Sequence, residues 1–586
     1  MTPDGTAPGG PATDGPGWED LRSRVLSWRD DDPDPDTRAE LDDLLARAAG
    51  GAGAEAARAD LADRFDGQLR FGTAGLRGRM GAGPNRMNRT VVIRAAAGLA
   101  AQLHRTVPGT PRVVVGHDAR RGSAAFARDT CGVLTAAGCT ALLLPEALPT
   151  PVLAFAVRWL DADAGVMVTA SHNPAEDNGY KVYRGGRTEG PDGRGVQIVP
   201  PADTEIAGHI AAVGRTGEVP IADEGWRMLD DGVVAEYLDA AVGLLDPASP
   251  RDLSLVITPL HGVGGRLLSA ALVGAGFPTP RMVAEQAEPD PRFPTVPYPN
   301  PEEPGALDLA VATASRHGAD LVVATDPDAD RCAAAIPAPD PGGWRLLSGD
   351  ELGCLLAEHL LDRRSREDVG TTAVIACSVV SSQRLRTIAS AHGCRHVETL
   401  TGFKWLARVP GLTYAYEEAL GYCVAPDLVR DKDGITATLL LAELVARLKA
   451  VGRTVDDALD DLDRRYGVHL TDALAIRFTG RRGADAAMAR LRHRPPARIG
   501  PGKVTSVDDL TRPEAGSHLP ATDALRFRTA DGLRVIVRPS GTEPKLKCYL
   551  EVVAPAPGRS LSSDRAAARG LLRGAAADLS RLVDAR

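Results

Sequence analysis

The sequence lacks the features of nucleic-acid-binding, membrane and disulfide-rich proteins. Its net charge of −9 at pH 7 gives no support to nucleic acid or an anionic membrane as the main partner. No apolar run is long enough to cross a bilayer, and the N-terminal segment lacks the basic and apolar parts of a signal peptide. The eight cysteines form neither a CxxC pair nor a zinc spacing. These absences predict a soluble cytoplasmic protein with reduced thiols, no nucleic-acid partner and no membrane partner.

The length of the chain predicts several domains. At 586 residues it exceeds what a single hydrophobic core supports, and three to five domains are expected. A hydrophobic content of 44% and a charged content of 25% are typical of globular proteins. Residues 1–17 are rich in proline and glycine and are predicted to form a disordered tail, whereas residues 18–66 have the apolar spacing of helices.

Apolar runs that alternate with helical patterns predict a mostly parallel sheet after this helical segment. Strands are predicted at residues 112–116 and 140–144, with a helix that begins at Ser123 between them. Two more buried strands are predicted at residues 253–260 and 319–325. From about residue 466 the pattern changes to short strands, which indicates a different design for the C-terminal part.

One stretch places a serine at the end of a predicted strand. The small and apolar residues 165–170 lead into Ser171, and a short alternating run then carries Lys181 back past the serine. In open α/β sheets, ligands bind at the edge where such strands end. An ordinary turn between strands is an equally good interpretation of this stretch alone.

Three aspartates follow the predicted strand at residues 319–325. Asp326, Asp328 and Asp330 stand at alternate positions, and Pro327 argues against a helix there. Carboxylate oxygens at this density suit Mg²⁺. The alternative is a solvated acidic turn, which a position directly after a buried strand disfavours. The sequence therefore predicts a magnesium site.

Near the C-terminus, hydrogen-bond donors cluster as they do in phosphate-binding loops. The donors are the side chains of Arg538, Ser540, Thr542 and Lys545 and the backbone of Gly541. Two weaker signals lie elsewhere. The pair Glu417 and Glu418 could accept hydrogen bonds from sugar hydroxyls, and the glycine-rich loop that holds Arg77 could approach an anion. Taken alone, these two are more typical of a surface pair and a plain turn.

Together these loops supply a serine nucleophile, a metal site, a phosphate clamp and carboxylates that could recognise hydroxyl groups. The four motifs resemble those of the α-D-phosphohexomutase superfamily (phosphoglucomutases and phosphomannomutases), and the chain is most similar to its phosphoglucomutase-2 and phosphopentomutase-type branch. The resemblance runs in the family's order from about residue 65 to 551. Its motifs are TASHNPAEDNGYK, DPDADR, EEALG and RPSGTEPK, supported by FGTAGLRG, PNPEEPGAL, TGFKW and VRDKDGI.

The resemblance implies an α/β protein of four domains around a central cleft. Three domains would share a mixed-sheet α/β design, and the fourth would be a smaller α+β domain. We place the domains at residues 18–227 (serine loop), 228–345 (metal loop), 346–465 (sugar loop) and 466–586 (phosphate loop). Members of the family are monomers or homodimers that act on small-molecule sugar phosphates.

The resemblance also implies a role for each matched residue. Ser171 would be phosphorylated and would hold Mg²⁺ together with Asp326, Asp328 and Asp330. Around the transferring group would lie Arg77, His172 and Lys181. The substrate would be bound by Arg331, Lys404, Glu417, Glu418, Arg538, Ser540, Gly541, Thr542 and Lys545. Ala419 stands where many members carry a serine, which leaves the preferred sugar open.

The expected activity is the Mg²⁺-dependent interconversion of hexose 1-phosphate and hexose 6-phosphate, with glucose preferred to mannose and glucose 1,6-bisphosphate as activator. Phosphopentomutase activity or synthesis of that bisphosphate on the same scaffold are alternatives. Lys181, if its pKa were lowered, is the first candidate for the base, and His172 is the second. A phosphatase of the haloacid-dehalogenase type with Asp326 as nucleophile, or a sugar-phosphate sensor without activity, would be the competing classes.

Overall fold

The computed structural model describes residues 16–72, 75–338, 343–364, 372–478, 481–512, 520–540, 545–554 and 560–584. The chain starts with three helices, α1 (Pro16–Asp31), α2 (Pro35–Ala48) and α3 (Ala54–Arg64). Helix α1 thus begins two residues inside the predicted tail, the rest of which lies outside the described residues. Asp34 caps α2 by accepting a hydrogen bond from the Asp36 amide, and the apolar face predicted for this helix is buried.

The first sheet follows these helices. Its strands are β1 (Leu76–Arg79), β2 (Arg112–His117), β3 (Thr140–Leu143), β4 (Ala164–Val168), β5 (Asp177–Arg184), β6 (Val196–Gln197) and β7 (Arg227–Met228). Its helices are α4 (Arg89–Thr106), α5 (Ser123–Ala136), α6 (Thr150–Trp159) and α7 (Ala202–Ala212). The strand order is β1-β5-β4-β2-β3-β7, with β6 beside β5. Strands β2, β3, β4 and β7 run parallel, whereas β5 is antiparallel to β1, β4 and β6.

The second and third sheets repeat this mixed design. The second unit contains α8 (Gly232–Val242), β8 (Leu255–Thr258), α9 (Gly264–Gly274), β9 (Arg281–Met282), α10 (Asp308–His317), β10 (Leu321–Ala324), β11 (Ala333–Pro337) and β12 (Trp344–Leu346). The third contains α11 (Gly349–Arg363), β13 (Val374–Ser378), α12 (Arg384–Ala391), β14 (Arg395–Thr399), α13 (Phe403–Leu406), β15 (Leu412–Glu417), β16 (Gly421–Cys423), α14 (Gly434–Ala450) and α15 (Val455–Tyr466). Their strand orders are β12-β11-β10-β8-β9 and β14-β13-β15-β16.

The fourth sheet is antiparallel throughout its described strands. It consists of β17 (Val468–Arg477), β18 (Arg498–Ile499), β19 (Gly502–Asp509), β20 (Leu525–Thr529), β21 (Leu533–Pro539) and β22 (Lys545–Ala554), with helices α16 (Arg481–His493) and α17 (Leu561–Asp584). The strand order is β17-β22-β21-β20-β19-β18. Three mixed sheets and one antiparallel sheet with helices confirm the predicted fold class.

The sheets differ from the predicted domain limits at two short edge strands. Strand β7 pairs with β3, so the first sheet extends to Met228, and β12 pairs with β11, so the second extends to Leu346. Each therefore ends one residue beyond the limit taken from the sequence. Strands of two or three residues carry too little apolar periodicity to be recognised.

The hydrophobic core is continuous across the first three sheets. One cluster of buried side chains includes Val157 below the first sheet, Val323 in the second and Ile375 in the third. The fourth sheet has a separate core around Phe527 and Val535. A small apolar cluster joins Val379 and Val380 of the third unit to Ile536 of the fourth sheet, and polar contacts add to it. Among the described helices, none is both long enough and apolar enough to span a membrane.

Glu551 of β22 links the third and fourth sheets. Its buried carboxylate accepts hydrogen bonds from Ser382 Oγ (2.7 Å) and the Gln383 amide (2.8 Å) at the start of α12. On its own sheet it contacts Arg534 (2.8 Å) and His469 (3.2 Å). Burial by itself would raise the pKa of Glu551, but these partners outweigh it and lower the pKa to about 2.

We expect Glu551→Gln to destabilise the protein by about 2–3 kcal/mol at pH 7. A carboxyl whose pKa is depressed on folding stabilises the folded state above its unfolded pKa, and this contribution is lost as the pH falls. The difference between the two proteins should therefore be full above about pH 5 and should shrink toward pH 2. Urea unfolding at several pH values measures it. The exposed Glu236→Gln variant is the control, and a difference independent of pH would contradict the assignment.

Candidate active site

The serine loop begins where β4 ends. Ser171 has a left-handed backbone (φ 53°), and its amide donates a hydrogen bond to Thr169 Oγ1 at 2.9 Å. The Ser171 hydroxyl donates to Asp326 Oδ2 at 2.7 Å and lies 3.1 Å from His172 Nδ1. Although 155 residues separate Ser171 from Asp326 in the sequence, the structure brings the serine loop and the acidic loop into direct contact.

Strand β5 returns Lys181 to the same point. Because β5 pairs antiparallel with β4, Lys181 lies opposite Met167, just before the serine loop. Its ammonium group donates to Asp328 Oδ2 (2.6 Å) and Asp330 Oδ2 (3.0 Å). Thr150, at the start of α6, also donates to Asp328 Oδ2 at 2.6 Å. Together with the contact from Ser171 to Asp326, residues of the first unit therefore bind all three aspartates.

The three aspartates form a compact buried cluster. One carboxylate oxygen of each lies within 4.8 Å of the other two, and all three side chains are buried. Burial and the charges of Asp328 and Asp330 hold the pKa of Asp326 well above its usual range. Within the described part of the chain, Asp328 Oδ1 and Asp330 Oδ1 have no hydrogen-bond partner. Buried carboxylate oxygens without a partner fit a divalent cation such as Mg²⁺.

The sugar loop contacts the acidic loop from the third sheet. The Cys332 amide donates to the Leu420 carbonyl (3.1 Å), and Arg331 forms a backbone bridge with Gly421. Lys432, at the start of α14, places its ammonium group 3.3 Å from Asp330 Oδ2. Asp330 is thus shared by Lys181 of the first sheet and Lys432 of the third.

Two arginines flank this cluster. Arg77 of β1 donates to Asn173 Oδ1 in the serine loop at 3.1 Å. Arg331 donates its backbone amide to Asp326 Oδ1 at 3.1 Å, and its guanidinium lies 3.4 Å from Glu302. The charges of both guanidinium groups also act on His172, the residue after Ser171, so both cations lie on the side of the cluster that holds the serine loop.

The predicted sugar-binding residues lie next to these arginines. Glu417 is buried at the end of β15, and burial raises its pKa, opposed by the charges of Lys432 and Arg331. Glu418 accepts hydrogen bonds from Ser378 Oγ (2.9 Å) and Ser381 Oγ (3.2 Å), and burial raises its pKa to about 7. Lys404 lies in the short helix α13.

The described part of the phosphate loop lies at the junction of β21 and β22. Arg538 pairs across these strands with Lys547, and the Ser540 amide donates to the Lys545 carbonyl at 2.9 Å. Burial lowers the pKa of Lys547, and the charge of Glu418 opposes this shift. The predicted ligands Gly541 and Thr542 lie outside the described residues.

The protonation of Lys181 differs from the expectation for a base. Burial lowers the pKa of Lys181, but the negative charges of Asp328 and Asp330 raise it further, so the net shift is upward. Lys181 could act as the base only if its pKa were lowered, and that expectation is wrong because the pKa is raised. His172 shows the opposite behaviour, because burial and the charges of Arg331 and Arg77 hold its pKa well below its usual range.

Sequence reasoning missed four residues of this site. Thr150 and Lys432 bind the aspartates, Lys547 pairs with Arg538, and Arg120 binds the serine loop. Lys432 lies within the VRDKDGI motif, and Arg120 follows strand β2 in the sequence HDARR. For Arg120, a position shortly after a predicted strand was the available signal, although its partners are distant in sequence.

A serine hydroxyl bound to a buried carboxylate cluster, with several cationic side chains beside it, is typical of enzymes that act on phosphoryl groups. Four sequence models match the chain in order, each described as phosphoglucomutase/phosphomannomutase. They are α/β/α domain I at residues 68–214, domain II at 235–339, domain III at 348–466 and the C-terminal domain at 486–561. The chain belongs to this family, the α-D-phosphohexomutase superfamily, and is an enzyme of the sugar-phosphate mutase type.

The proteins to which the chain is similar are named for different sugars. The chain is 45% identical to a probable phosphomannomutase from Haemophilus influenzae, over 79% of this chain and 93% of that protein. It is 36% identical to a probable phosphoribomutase from Schizosaccharomyces pombe (90% and 93%) and 35% identical to a phosphoglucomutase from Staphylococcus haemolyticus (83% and 91%). A solved phosphoglucomutase/phosphomannomutase family protein from Burkholderia thailandensis shares the fold, with a TM-score of 0.64, 20% identity and coverage of 87% and 98%.

Proposed function

We propose that this enzyme interconverts hexose 1-phosphate and hexose 6-phosphate through phosphorylated Ser171 and a sugar bisphosphate. The observation that carries this proposal is the 2.7 Å hydrogen bond from Ser171 Oγ to Asp326, inside a buried cluster that also contains Asp328, Asp330 and Lys181. A serine in this setting has a cation site and a fixed lysine beside it. These are the requirements for a phosphoryl group to be held and transferred.

In the proposed reaction, the bond between phosphorus and Ser171 Oγ breaks as a bond to the free sugar hydroxyl forms. The hydroxyl gives its proton to His172, and the serine oxygen leaves with the electron pair of the broken bond and takes up a proton in return. The bisphosphate then reorients, and its other phosphoryl group returns to Ser171. His172 Nδ1, 3.1 Å from Ser171 Oγ, is positioned to exchange a proton with that oxygen. Arg77, Arg331 and Lys181 orient the group in transfer and balance its charge.

We assign the metal site to Asp326, Asp328 and Asp330, completed by the phosphate on Ser171. When bound, Mg²⁺ would neutralise charge on the phosphoryl oxygens and fix the phosphate beside the acceptor. At the far side, Arg538, Ser540, Gly541, Thr542 and Lys545 would hold the substrate's own phosphate. Lys404, Glu417 and Glu418 would bind the sugar, and glucose 1,6-bisphosphate would serve as activator.

We propose glucose phosphates as the preferred substrates, with mannose phosphates also accepted. The similarity to a phosphoglucomutase and to a probable phosphomannomutase supports this choice. Pentose phosphates are the second candidate, because the phosphoribomutase similarity extends over 90% of this chain. Ala419 lacks a hydroxyl beside Glu418 and so removes one possible contact that could distinguish these sugars.

³¹P NMR of the purified protein tests the proposal. The protein would be supplied with Mg²⁺, a trace of glucose 1,6-bisphosphate, and glucose, mannose or ribose 1-phosphate in separate samples. We expect conversion to the terminal phosphate, with glucose fastest. Conversion of ribose 1-phosphate alone would move the assignment to a phosphopentomutase. Accumulation of bisphosphate from a second phosphoryl donor would indicate a synthase, and no turnover of any sugar would contradict the proposal.

The pH dependence of kcat/KM should show whether the charge of Lys404 contributes to substrate binding. Burial lowers the pKa of Lys404 to about 8, although the charges of Asp203 and Glu417 oppose the shift. The side chain is a cation below that pH and neutral above it, so its attraction for an anionic substrate should weaken above pH 8. We expect kcat/KM to decline above about pH 8 in the wild type. This decline should disappear in Lys404→Arg, because arginine keeps its charge. It should persist in the exposed control Lys503→Arg, and an identical decline in all three proteins would contradict the role.

A further inference from the structure

Arg120 binds the serine loop through its backbone. In the loop after β2, the guanidinium of Arg120 donates to the carbonyl oxygens of Ser171 (2.5 Å) and Asn173 (2.5 Å). It also donates to those of Pro174 (2.7 Å) and Asp177 (3.1 Å). One side chain therefore donates hydrogen bonds to four carbonyl groups of a seven-residue loop.

This guanidinium is held in place on its other sides. Arg120 is buried, and its Nε lies 3.5 Å from a carboxylate oxygen of Asp118. Asp118 in turn accepts hydrogen bonds from the Arg120 amide (2.9 Å) and Ser123 Oγ (2.7 Å). The short loop between β2 and α5 thus fixes the arginine before it contacts the serine loop.

The serine loop requires such support because its backbone is strained at the nucleophile. Ser171 has a positive φ of 53°, a conformation that is uncommon for residues other than glycine. A carbonyl hydrogen bond on Ser171 itself and three more on the following residues oppose relaxation of this turn. The position of Ser171 Oγ relative to Asp326 therefore depends on Arg120, although Arg120 does not contact the aspartates in the described structure.

A residue of the second unit completes the arrangement. The ring of Phe293 stacks on the Arg120 guanidinium, with 4.9 Å between the guanidinium carbon and the ring centroid. Phe293 is buried, has a positive φ of 46°, and belongs to the proline-rich connection at residues 289–305. Glu302, in the same connection, contacts Arg331 of the acidic loop. This connection thus contacts both the arginine that holds the serine loop and the loop that holds the aspartates.

We propose that Arg120 is a positioning residue for phosphoryl transfer, and that Phe293 holds it in place from the second unit. This inference rests on the proposed function, because it concerns how Ser171 is aimed at the acidic cluster. Lysine cannot replace Arg120, since one ammonium group has three donors and cannot span four carbonyl groups. Neither residue contacts the sugar in this assignment, so their loss should affect the rate of transfer rather than substrate binding.

Steady-state kinetics of Arg120→Lys tests this, with the adjacent exposed Arg121→Lys as the matched control. We expect kcat to fall about 10²-fold in Arg120→Lys, because misplacement of a reacting group by about 1 Å has an effect of this size. KM should stay within about threefold of the wild type, and Arg121→Lys should be unchanged. Circular dichroism would verify that each variant is folded at the assay temperature.

Phe293→Leu, alone and combined with Arg120→Lys in a double variant, tests the link between the two residues. We expect Phe293→Leu to lower kcat about fivefold to tenfold, and the double variant to be no slower than Arg120→Lys alone within twofold, since both act through one guanidinium. Multiplicative effects, a rise in KM alone, or an unchanged kcat in Arg120→Lys would overturn the inference while wild-type turnover stands. Absence of turnover by the wild type would instead overturn the proposed function, and this inference with it.

Discussion

Ser171→Ala should abolish mutase turnover, with kcat at least about 10⁴-fold lower, as is typical when a covalent nucleophile is removed. Alanine cannot carry the phosphoryl group, and no other hydroxyl contacts Asp326 in the described residues. Substrate binding should be retained, because the proposed phosphate and sugar contacts lie on other sheets. Phosphorus NMR with glucose 1-phosphate measures the loss, and the phosphorylated peptide containing Ser171 should disappear from mass spectra.

Ser563→Ala is the matched control, because Ser563 is exposed on α17, and it should leave turnover unchanged. Release of inorganic phosphate that survives Ser171→Ala would contradict the phosphoserine route and would revive Asp326 as a nucleophile. Sensitivity of the phosphoenzyme to hydroxylamine would lead to the same conclusion, because an acyl phosphate is cleaved by hydroxylamine whereas phosphoserine is not.

Asp326→Asn and Asp330→Asn should both lower kcat by about 10³-fold, since each removes a proposed ligand of a metal that supplies several kcal/mol of transition-state stabilisation. Their effects on stability should be opposite. Asp326 is crowded by two other carboxylates, and among the described residues no lysine or arginine side chain forms an ion pair with it. Its neutralisation therefore removes repulsion and raises the free energy of unfolding by about 1 kcal/mol. Asp330 balances Lys181 and Lys432, so its neutralisation leaves buried cations and lowers that free energy by about 3 kcal/mol.

Urea unfolding in metal-depleted buffer would measure the two stabilities, and titration with Mg²⁺ would measure affinity. The exposed Asp252→Asn should change neither quantity. A fall in stability of similar size for both cluster variants would contradict the assigned charge balance. Full activity of either variant at ordinary Mg²⁺ concentration would contradict the metal assignment.

The loops could be predicted from the sequence because each follows a strand with a clear apolar pattern. The strand before Ser171 and the strand before Asp326 are both buried, and both end where a ligand edge was expected. The α/β class followed from the same alternation of strands and helices, whereas the four domains and their mixed sheets were implied by the family resemblance. The edge strands β7 and β12 were missed because two or three residues carry too little apolar periodicity, and each strand is defined by its pairing with β3 or β11 rather than by its own pattern.

Contacts between distant parts of the chain could not be predicted. Arg120 binds a loop that begins 51 residues later, and Lys432 contacts Asp330 from another sheet. The direction of the pKa shift of Lys181 could not be predicted for the same reason. Its pKa depends on whether arginines or aspartates lie nearest, and the sequence does not give those distances. The structure places Asp328 and Asp330 against it, which raises the pKa rather than lowering it.

The shared position of Asp330 has a consequence for attempts to exchange parts between relatives of this enzyme. Its carboxylate is contacted by one lysine from the first sheet and another from the third, so no single unit contains its own charge balance. A chimaera that imports the second unit alone must bring an acidic group that meets both host lysines. If that match fails, buried cations without a partner should prevent the units from docking. The charge balance around Asp330 would then determine which units from different relatives can be combined in one chain.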